Sequence, residues 1–164
     1  MKFWIDTEFD DSGPEVELIS LGAVAEDGRE FYAISTDFNP AIVKPFVKEN
    51  VLPHLEPRDS SVWKPVSVIS AEFLAFVGQE PAEFWGFIAT YDWYLLTQLL
   101  FGGLDGLPSN WPFECWDLHQ WAWQLGNPEL PLDDGLIHHS LSDAHLHRKI
   151  YEFLAEHERK KQKE

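Results

Sequence analysis

The first part of the chain alternates apolar and polar residues in the way that β-strands do. Such strands are predicted over residues 2–9, 15–25 and 29–36, and Asp27-Gly28 supplies a tight turn between the last two. Strands joined by a short turn pair in antiparallel fashion. The sequence therefore opens with a predicted three-stranded antiparallel sheet.

The pattern changes after residue 36. Prolines interrupt residues 37–66, so we expect only short helical turns and loops in that stretch, at the periphery of the fold. Helical and buried-strand patterns then alternate, with helices predicted over 67–78, 92–100, 117–125 and 140–158 and strands over 84–89 and 113–116. A proline-rich loop precedes the last helix. Together these elements predict an α/β fold: one mixed sheet, with three antiparallel strands followed by parallel strand–helix units, and helices on both faces.

Length and composition narrow the range of functions. The chain has 164 residues, of which 45% are hydrophobic, so we expect one domain over 1–164 with a charged C-terminal tail from about 156 to 164. Twelve Lys and Arg against 28 Asp and Glu give a formal net charge of -16. We therefore do not expect nonspecific attraction to nucleic acid or to an anionic membrane as the main activity, and a phosphate ligand would need help from cations.

Location is predicted from one cysteine and from hydropathy. Cys115 has no second cysteine to pair with, and acids occur too early in the N-terminal sequence for a secretory leader. The most apolar window, 85–100, is interrupted by Asp92 and is too short to span a bilayer. We therefore expect a reduced, cytoplasmic protein that is not inserted into a membrane.

Asp6 and Glu8 are the first candidates for chemistry. Residues two apart on a strand point to the same face, about 7 Å apart along the chain. An isolated Asp-x-Glu is more often the solvated face of a strand. Here, however, Phe3, Trp4, Ile5 and neighbouring Phe9 make both faces of the strand apolar. Paired carboxylates in such a covered strand are unfavourable unless a cation or a proton compensates them.

Asp92 and Asp143 both lie at predicted helix starts, where an acid often only stabilises the helix N-terminus. Asp92 nevertheless heads an apolar stripe formed by Leu95, Leu96 and Leu99, and Asp143 heads one formed by Leu146, Ile150 and Leu154. Each acid should therefore face the sheet. Ser140 and Asp143 also fit a capping box, which leaves capping open for Asp143. Four inward acids of this kind suit Mg²⁺ or Mn²⁺, often as a pair.

His138 is the candidate general base. It precedes Asp143 by five residues, and that spacing puts two helical residues about 140° apart, so His138 must lie in the loop before the helix. From there its imidazole could reach a site that Asp143 fixes. An ordinary loop histidine is the alternative. A zinc cluster of His138, His139, His145 and His147 is disfavoured, because the last two would diverge by about 200° on a helix.

The chain has 24 aromatic residues, namely eight Trp, twelve Phe and four Tyr. Most should be buried. Phe9, beside the acids, is a candidate to stack on a nucleobase, and other exposed aromatics could form a dimer interface.

The ordered set of motifs resembles the DEDDh 3′-5′ exonucleases, a branch of the ribonuclease H-like superfamily. The matching residues are Asp6-x-Glu8 on the first strand, Asp92 at a helix start and His138-x-x-x-x-Asp143. Two longer segments, IDTEFDDSGPEVELISLGAVAEDGREFYAIST and HHSLSDA, are similar to the actinobacterial exoribonuclease AS group, described as acting on adenosine-rich 3′ ends of RNA.

This resemblance implies a ribonuclease H-like fold and a homodimer that removes nucleoside 5′-monophosphates from single-stranded RNA 3′ ends, with two divalent Mg²⁺ or Mn²⁺ ions. It implies that Asp6 bridges the two metals, that Glu8 and Asp143 complete the metal that activates water, and that Asp92 helps to hold the metal at the leaving 3′ oxygen. His138 would take the proton from the attacking water. Two dications would also explain how so acidic a chain binds an anion.

The chain departs from related branches at two positions. Ile88 stands where many proofreading relatives carry Asn, four residues before Asp92, which disfavours a proofreading role. The tyrosine-type branch would need Tyr at position 139, which is His139. Two other functions stay open: a DNA 3′-5′ exonuclease with the same site, and a non-catalytic domain that binds an RNA end or a protein. The presence of all five expected catalytic residues favours an enzyme.

Overall fold

A six-stranded mixed sheet forms the centre of the computed structural model, which describes residues 1–131 and 138–163. In chain order the strands are β1 (Lys2–Asp10), β2 (Glu17–Ala25), β3 (Glu30–Ser35), β4 (Trp63–Lys64), β5 (Glu83–Gly86) and β6 (Trp116–Asp117). Their order across the sheet is β4-β3-β2-β1-β5-β6. The β1/β2 and β2/β3 pairs are antiparallel, whereas β3/β4, β1/β5 and β5/β6 are parallel. This arrangement confirms the predicted mixed sheet and places β1 inside it.

Helices connect these strands and cover the sheet. The α-helices are α1 (Pro45–Asn50), α2 (Val66–Val77), α3 (Thr90–Leu95), α4 (Leu118–Gln124) and α5 (Ser140–Lys161). The chain continues from α3 into a π-helical turn over Leu96–Leu100 and forms 3₁₀ turns at Leu52–His54 and Leu104–Gly106. Within the two described stretches, none of the helices combines the length and apolarity that crossing a bilayer requires.

The two faces of β1 have separate cores because successive strand residues point in opposite directions. Phe3 and Ile5 pack in a cluster with Phe73 of α2 and with the π-helical turn. Trp4 packs on the other face in a cluster with α4 and α5, which includes Ile150. The prediction of helices on both faces is therefore confirmed.

Gly22 of β2 allows α5 to approach the sheet closely. It is the register partner of Asp6 on β1, and a Cβ atom at this position would lie 2.2 Å from the carbonyl carbon of Ser140. The hydroxyl oxygens of Ser20 and Ser140 are 3.0 Å apart beside this contact. Glycine at position 22 therefore lets the first turn of α5 lie directly over β1 and β2.

Several predicted boundaries were wrong. The strand expected over 84–89 ends at Gly86, because Ile88 adopts a left-handed backbone with φ 56°. The strand expected over 113–116 is only β6, and Phe113 is exposed. The last helix, expected to end at 158, continues to Lys161 and includes charged residues from 156 onward, and Glu164 lies outside the described residues.

The helix expected over 92–100 also differs. It begins at Thr90, so Asp92 lies in its first turn instead of opening it. The π-helical turn adds a residue to the local repeat, and as a result Leu100 is buried while Leu99, predicted to face the sheet, is exposed.

The stretch over 37–66 is not peripheral. It supplies α1 and β4, and it forms a third core in which Val43, Val47 and Val51 pack with Ile19 and Ile34 of the sheet. The prolines prevent a long element here, as expected, but not burial. Part of the predicted proline-rich loop, residues 132–137, lies outside the described residues.

Candidate active site

Three carboxylates meet where the N-terminus of α5 crosses β1. One ligand oxygen from each of Asp6, Glu8 and Asp143 lies within 4.8 Å of the others. Asp6 and Glu8 share the face of β1 that α5 covers, as their spacing predicted, and Glu8 is buried. The structure therefore brings together acids that are more than one hundred residues apart in the sequence.

Asp92 is fixed beside this trio by the neighbouring residue of β1. Its Oδ1 accepts hydrogen bonds from the backbone N–H of Thr7, at 2.8 Å, and from the Thr7 hydroxyl, at 2.6 Å. The side chain is buried, so the prediction that it points inward agrees with its placement. Asp92 thus joins α3 to the strand that carries the other two acids.

Asp143 reaches back to the segment before its own helix. Its Oδ2 accepts hydrogen bonds from the backbone N–H groups of His138, at 2.9 Å, and His139, at 3.2 Å. The alternative of a capping box that begins at Ser140 does not hold, because His139 caps α5 and its Nδ1 accepts from the Ser142 N–H at 3.4 Å. Asp143 therefore fixes the backbone of both histidines.

Ionisation of all four carboxyl groups at once is electrostatically unfavourable. Burial, followed by the charges of Asp92, Glu8 and Asp143, holds the pKa of Asp6 well above its usual value. Burial, with Asp143 and Asp92, raises the pKa of Glu8 to about 8. Burial also raises the pKa of Asp143, and it raises that of Asp92 to about 6 despite the hydrogen bonds from Thr7. At neutral pH the cluster needs bound protons or bound cations.

His138 and His139 have different environments. His138 lies on the wall of the cavity above the acids, has a left-handed backbone with φ 65°, and packs its ring edge-on to Phe46 with 5.1 Å between centroids. The ring of His139 instead stacks on Tyr32 with 4.6 Å between centroids while it caps α5. The geometry therefore gives His138 access to the site and His139 a structural position.

His147 belongs to the site, although the sequence did not indicate it as a site residue. Its Nδ1 lies 2.8 Å from the carbonyl oxygen of Ile5, to which it donates a hydrogen bond, and its Nε2 lies 3.9 Å from Oδ1 of Asp6. Burial lowers the pKa of His147 to about 4, so the ring is neutral at pH 7. The sequence feature that could have indicated His147 is its position one helical turn after Asp143, on the same face of α5. His145, by contrast, pairs with Glu30 on the surface, so the four histidines do not form a zinc cluster.

A cavity of about 500 Å³ opens over the acids. Phe9 and Tyr91 stack on its wall with ring centroids 5.4 Å apart and planes 17° apart, and Tyr91 is half exposed. Ile88 and Lys44 also line the cavity. The site therefore combines a buried acidic floor with an open, aromatic wall, which suits a ligand that has both phosphate and ring groups.

Solved structures of exonuclease I share this fold. An E. coli exonuclease I in complex with single-stranded DNA and zinc matches with a TM-score of 0.67 at 11% identity, over 93% of this chain and 39% of that one. Exonuclease I from Methylocaldum szegediense matches with a TM-score of 0.67 at 12% identity, again over 93% of this chain and 39% of that one. The chain spans about two fifths of these proteins. The likeness shows a ribonuclease H-like fold.

Sequence relatives extend this assignment to a family. No family model matches the chain. The curated proteins named 3′-5′ exoribonuclease Rv2179c and 3′-5′ exoribonuclease MT2234.1, from two strains of Mycobacterium tuberculosis, are 39% identical to it over 147 residues, which are 88% of this chain and 87% of each relative. The class defined by fold and relatives is that of the 3′-5′ exonucleases. Within that class, the chain belongs to the family of these mycobacterial 3′-5′ exoribonucleases.

Proposed function

We propose that the protein is a metal-dependent exoribonuclease of the DEDDh type that removes nucleoside 5′-monophosphates from the 3′ end of single-stranded RNA. The observation that carries this proposal is the group of Asp6, Glu8 and Asp143 oxygens, which lie within 4.8 Å of one another and line an open cavity. The relatives named 3′-5′ exoribonuclease support RNA as the substrate. A preference for adenosine rests on the resemblance to the exoribonuclease AS group.

The donor set fits hard divalent cations. All four acids offer oxygen ligands, and burial holds their pKa values above the usual range, so that bound cations would relieve the repulsion. We infer two Mg²⁺ or Mn²⁺ ions held by Asp6, Glu8, Asp92 and Asp143. When bound, such ions supply positive charge to the entering and leaving oxygens of a phosphate displacement.

The remaining roles fall to the cavity wall. His138 takes the proton of the attacking water on an imidazole nitrogen, and its placement beside Asp143 supports this role. Phe9, supported from behind by Tyr91, stacks on the base of the terminal nucleotide. His147 also lines this wall, where the hydrogen bond from Nδ1 to the Ile5 carbonyl holds its ring with Nε2 3.9 Å from Oδ1 of Asp6.

A homodimer and a cytoplasmic location complete the proposal. Several large apolar side chains are exposed away from the acids, among them Phe113 and Trp123, and a second copy of the chain could cover them. Light scattering on the purified protein should give twice the mass of 19.0 kDa. A monomeric mass at micromolar concentration would contradict the dimer and leave the nuclease proposal intact.

Oligonucleotides of one sequence test the activity directly. Labelled RNA and DNA strands, single-stranded or in a duplex, are incubated with Mg²⁺, Mn²⁺ or a chelator, and the products are separated by mass. We expect stepwise loss of nucleoside 5′-monophosphates from single-stranded RNA and no reaction with the chelator. Homopolymer RNAs then measure the preference for adenosine.

Two outcomes would support the alternatives. The match to an exonuclease I bound to single-stranded DNA keeps a DNA 3′-5′ exonuclease as the second candidate, and faster hydrolysis of DNA than of RNA would favour it. Absence of hydrolysis of every 3′ end with either metal would favour a non-catalytic domain that binds RNA ends or a protein.

A further inference from the structure

Lys44 gives the cavity its one strongly basic group. Among the described residues that line the cavity it is the sole Lys or Arg, opposite four carboxylates. Two dications would neutralise the acids, but a longer strand brings additional phosphates that need cations of their own. A chain with a formal net charge of -16 offers few such groups.

The backbone of Lys44 is attached to the end of β1. Its N–H donates a hydrogen bond of 3.0 Å to Oδ1 of Asp10, a buried carboxylate that also accepts from Ser12. Lys44 lies just before α1, so this bond holds the start of α1 against β1. The fold therefore holds the backbone of Lys44 in place relative to the acids.

The ammonium group of Lys44 pairs with Asp11 at the rim of the site. The two side chains are 34% and 39% exposed. An ion pair in that setting contributes little stability, because water and salt screen it. A phosphate oxygen can therefore replace the carboxylate of Asp11 at small cost.

The Lys44–Asp11 pair lies at the rim of the cavity, so it suits a phosphate of the RNA other than the scissile one. Asp11 follows Glu8 by three residues of extended chain, so it lies about 10 Å farther along from the acidic trio. A phosphate held at Lys44 is therefore displaced from the acids, in the part of the cavity that the remaining strand must occupy.

We propose that Lys44 binds the 5′-phosphate of the penultimate nucleotide, which is one phosphate upstream of the scissile phosphate. Asp11 holds the same ammonium group when no strand is bound. This inference rests on the proposed function. It makes Lys44 a positioning residue for RNA strands that are longer than the reacting unit, and it makes Asp11 a competitor of the substrate.

Two dinucleotides isolate this contact. One carries a 5′-phosphate and the other a 5′-hydroxyl, so both contain the scissile phosphate but only the first contains the phosphate assigned to Lys44. Lys44→Met keeps the aliphatic stem and removes the charge. We expect KM for the 5′-phosphorylated dinucleotide to rise about tenfold, as for the loss of one charge-assisted hydrogen bond, with KM for the 5′-hydroxyl dinucleotide unchanged.

Three further variants control the result. Lys48→Met removes an exposed charge from α1, the helix that follows Lys44, at a position that does not line the cavity, and it should change neither KM. Lys44→Arg should restore binding of the phosphorylated dinucleotide. Asp11→Asn should lower KM for that substrate below the wild-type value, because the competitor is removed.

Salt dependence gives an independent readout on longer RNA. Loss of one phosphate contact should make the slope of log kcat/KM against log salt shallower by about 0.7 in Lys44→Met. An equal rise of KM on both dinucleotides, or the same change in Lys48→Met, would overturn the inference while wild-type cleavage still upheld the nuclease. If the wild-type protein cleaved neither dinucleotide nor RNA, the proposed function would fail and the inference with it.

Discussion

The active-site cavity and a second acidic cavity of similar size differ in how their carboxylates are partnered. The active-site cavity measures about 500 Å³, and a second one of about 440 Å³ is lined by tryptophans, with Glu83, Asp117 and Glu158 at its edges. We call the second one the tryptophan groove; its aromatic residues are Trp85, Trp116 and Trp121.

Glu83 and Asp117 of the tryptophan groove accept hydrogen bonds from neighbouring parts of the fold. Glu83 accepts a hydrogen bond from the indole of Trp85 at 2.5 Å. Asp117 caps α4 by accepting from the Gln120 N–H at 2.9 Å, and it accepts from the Ala89 N–H at 2.8 Å. In the active-site cavity, by contrast, buried acids face other acids. A site for cations is therefore indicated by burial among like charges and not by the number of acids.

The largest expected effect is the loss of activity on removing one charge from the active-site cavity, compared with removal of one charge from the tryptophan groove as a control. Asp92→Asn keeps the volume of the side chain but lowers its ability to hold a cation, and we expect kcat on RNA to fall at least about 100-fold with the fold retained. Glu83→Gln in the tryptophan groove should leave kcat unchanged. Steady-state assays and circular dichroism check both. Undiminished turnover by Asp92→Asn would remove this residue from the site.

The next largest expected effect is the difference in kcat between substitutions of the two adjacent histidines. His138→Ala should lower kcat about 100-fold or more, because a general base is lost, with little change in KM. His139→Ala should leave kcat close to the wild-type value but lower the free energy of unfolding by about 1 kcal/mol, because α5 loses its cap. Kinetics and urea unfolding of both variants separate the roles. A larger loss of kcat in His139→Ala would reverse the assignment.

Removal of metal should make stability depend on pH. The folded-state pKa of Glu8, about 8, exceeds its usual 4.5, so between these values the folded protein holds a proton that the unfolded chain releases. Stability therefore falls as the pH rises through this window. In the presence of a chelator, Tm should decrease from about pH 5 to about pH 8.

Two controls sharpen this measurement. Glu8→Gln should flatten the profile, and added Mg²⁺ or Mn²⁺ should raise Tm most at the alkaline end, where the ions displace the fewest protons. Glu83→Gln should leave the slope of the profile as in the wild-type protein. A Tm that rises with pH in the chelator would contradict the electrostatic account of the cavity.

The smallest expected effect concerns strain on the cavity wall. Ile88 is exposed, β-branched and held at φ 56°, a conformation that asparagine adopts more readily. Ile88→Asn should therefore increase the free energy of unfolding by about 1 kcal/mol, as measured in urea. Ile42→Asn, at an exposed isoleucine without a left-handed backbone, should give no such gain. Equal effects of the two substitutions would show that strain is not the cause.

Long periodic elements of this fold were predictable from the sequence. Alternation predicted β1 to β3, and the apolar stripe below Asp143 predicted α5 together with its orientation. The strands β4 and β6 could not be predicted in this way. Each has only two residues, too few to show a periodic pattern, and each forms by pairing with β3 or β5.

The site was predictable only where chemistry and periodicity coincide. Asp6, Glu8, Asp92 and Asp143 stand on apolar faces where acids are unexpected. His147 was missed because its meaning depends on the distant Ile5 carbonyl and Asp6, which only the folded chain brings near. The position of Lys44 on the cavity wall was also not predicted. It lies in a proline-rich stretch with no period, and a single hydrogen bond to Asp10 brings it to the cavity.

Because of the contact at Gly22, the acidic trio assembles only after the N-terminal turn of α5 has been synthesised. The acids of β1 are translated early, but the carboxylate that completes the trio arrives only when the first turn of α5 settles on Gly22. Such a long-range contact forms after the loop between its partners has closed. A nascent polypeptide stalled before this turn has emerged would therefore carry the acids of β1 without Asp143, so the trio stays incomplete until most of the 164 residues have been made.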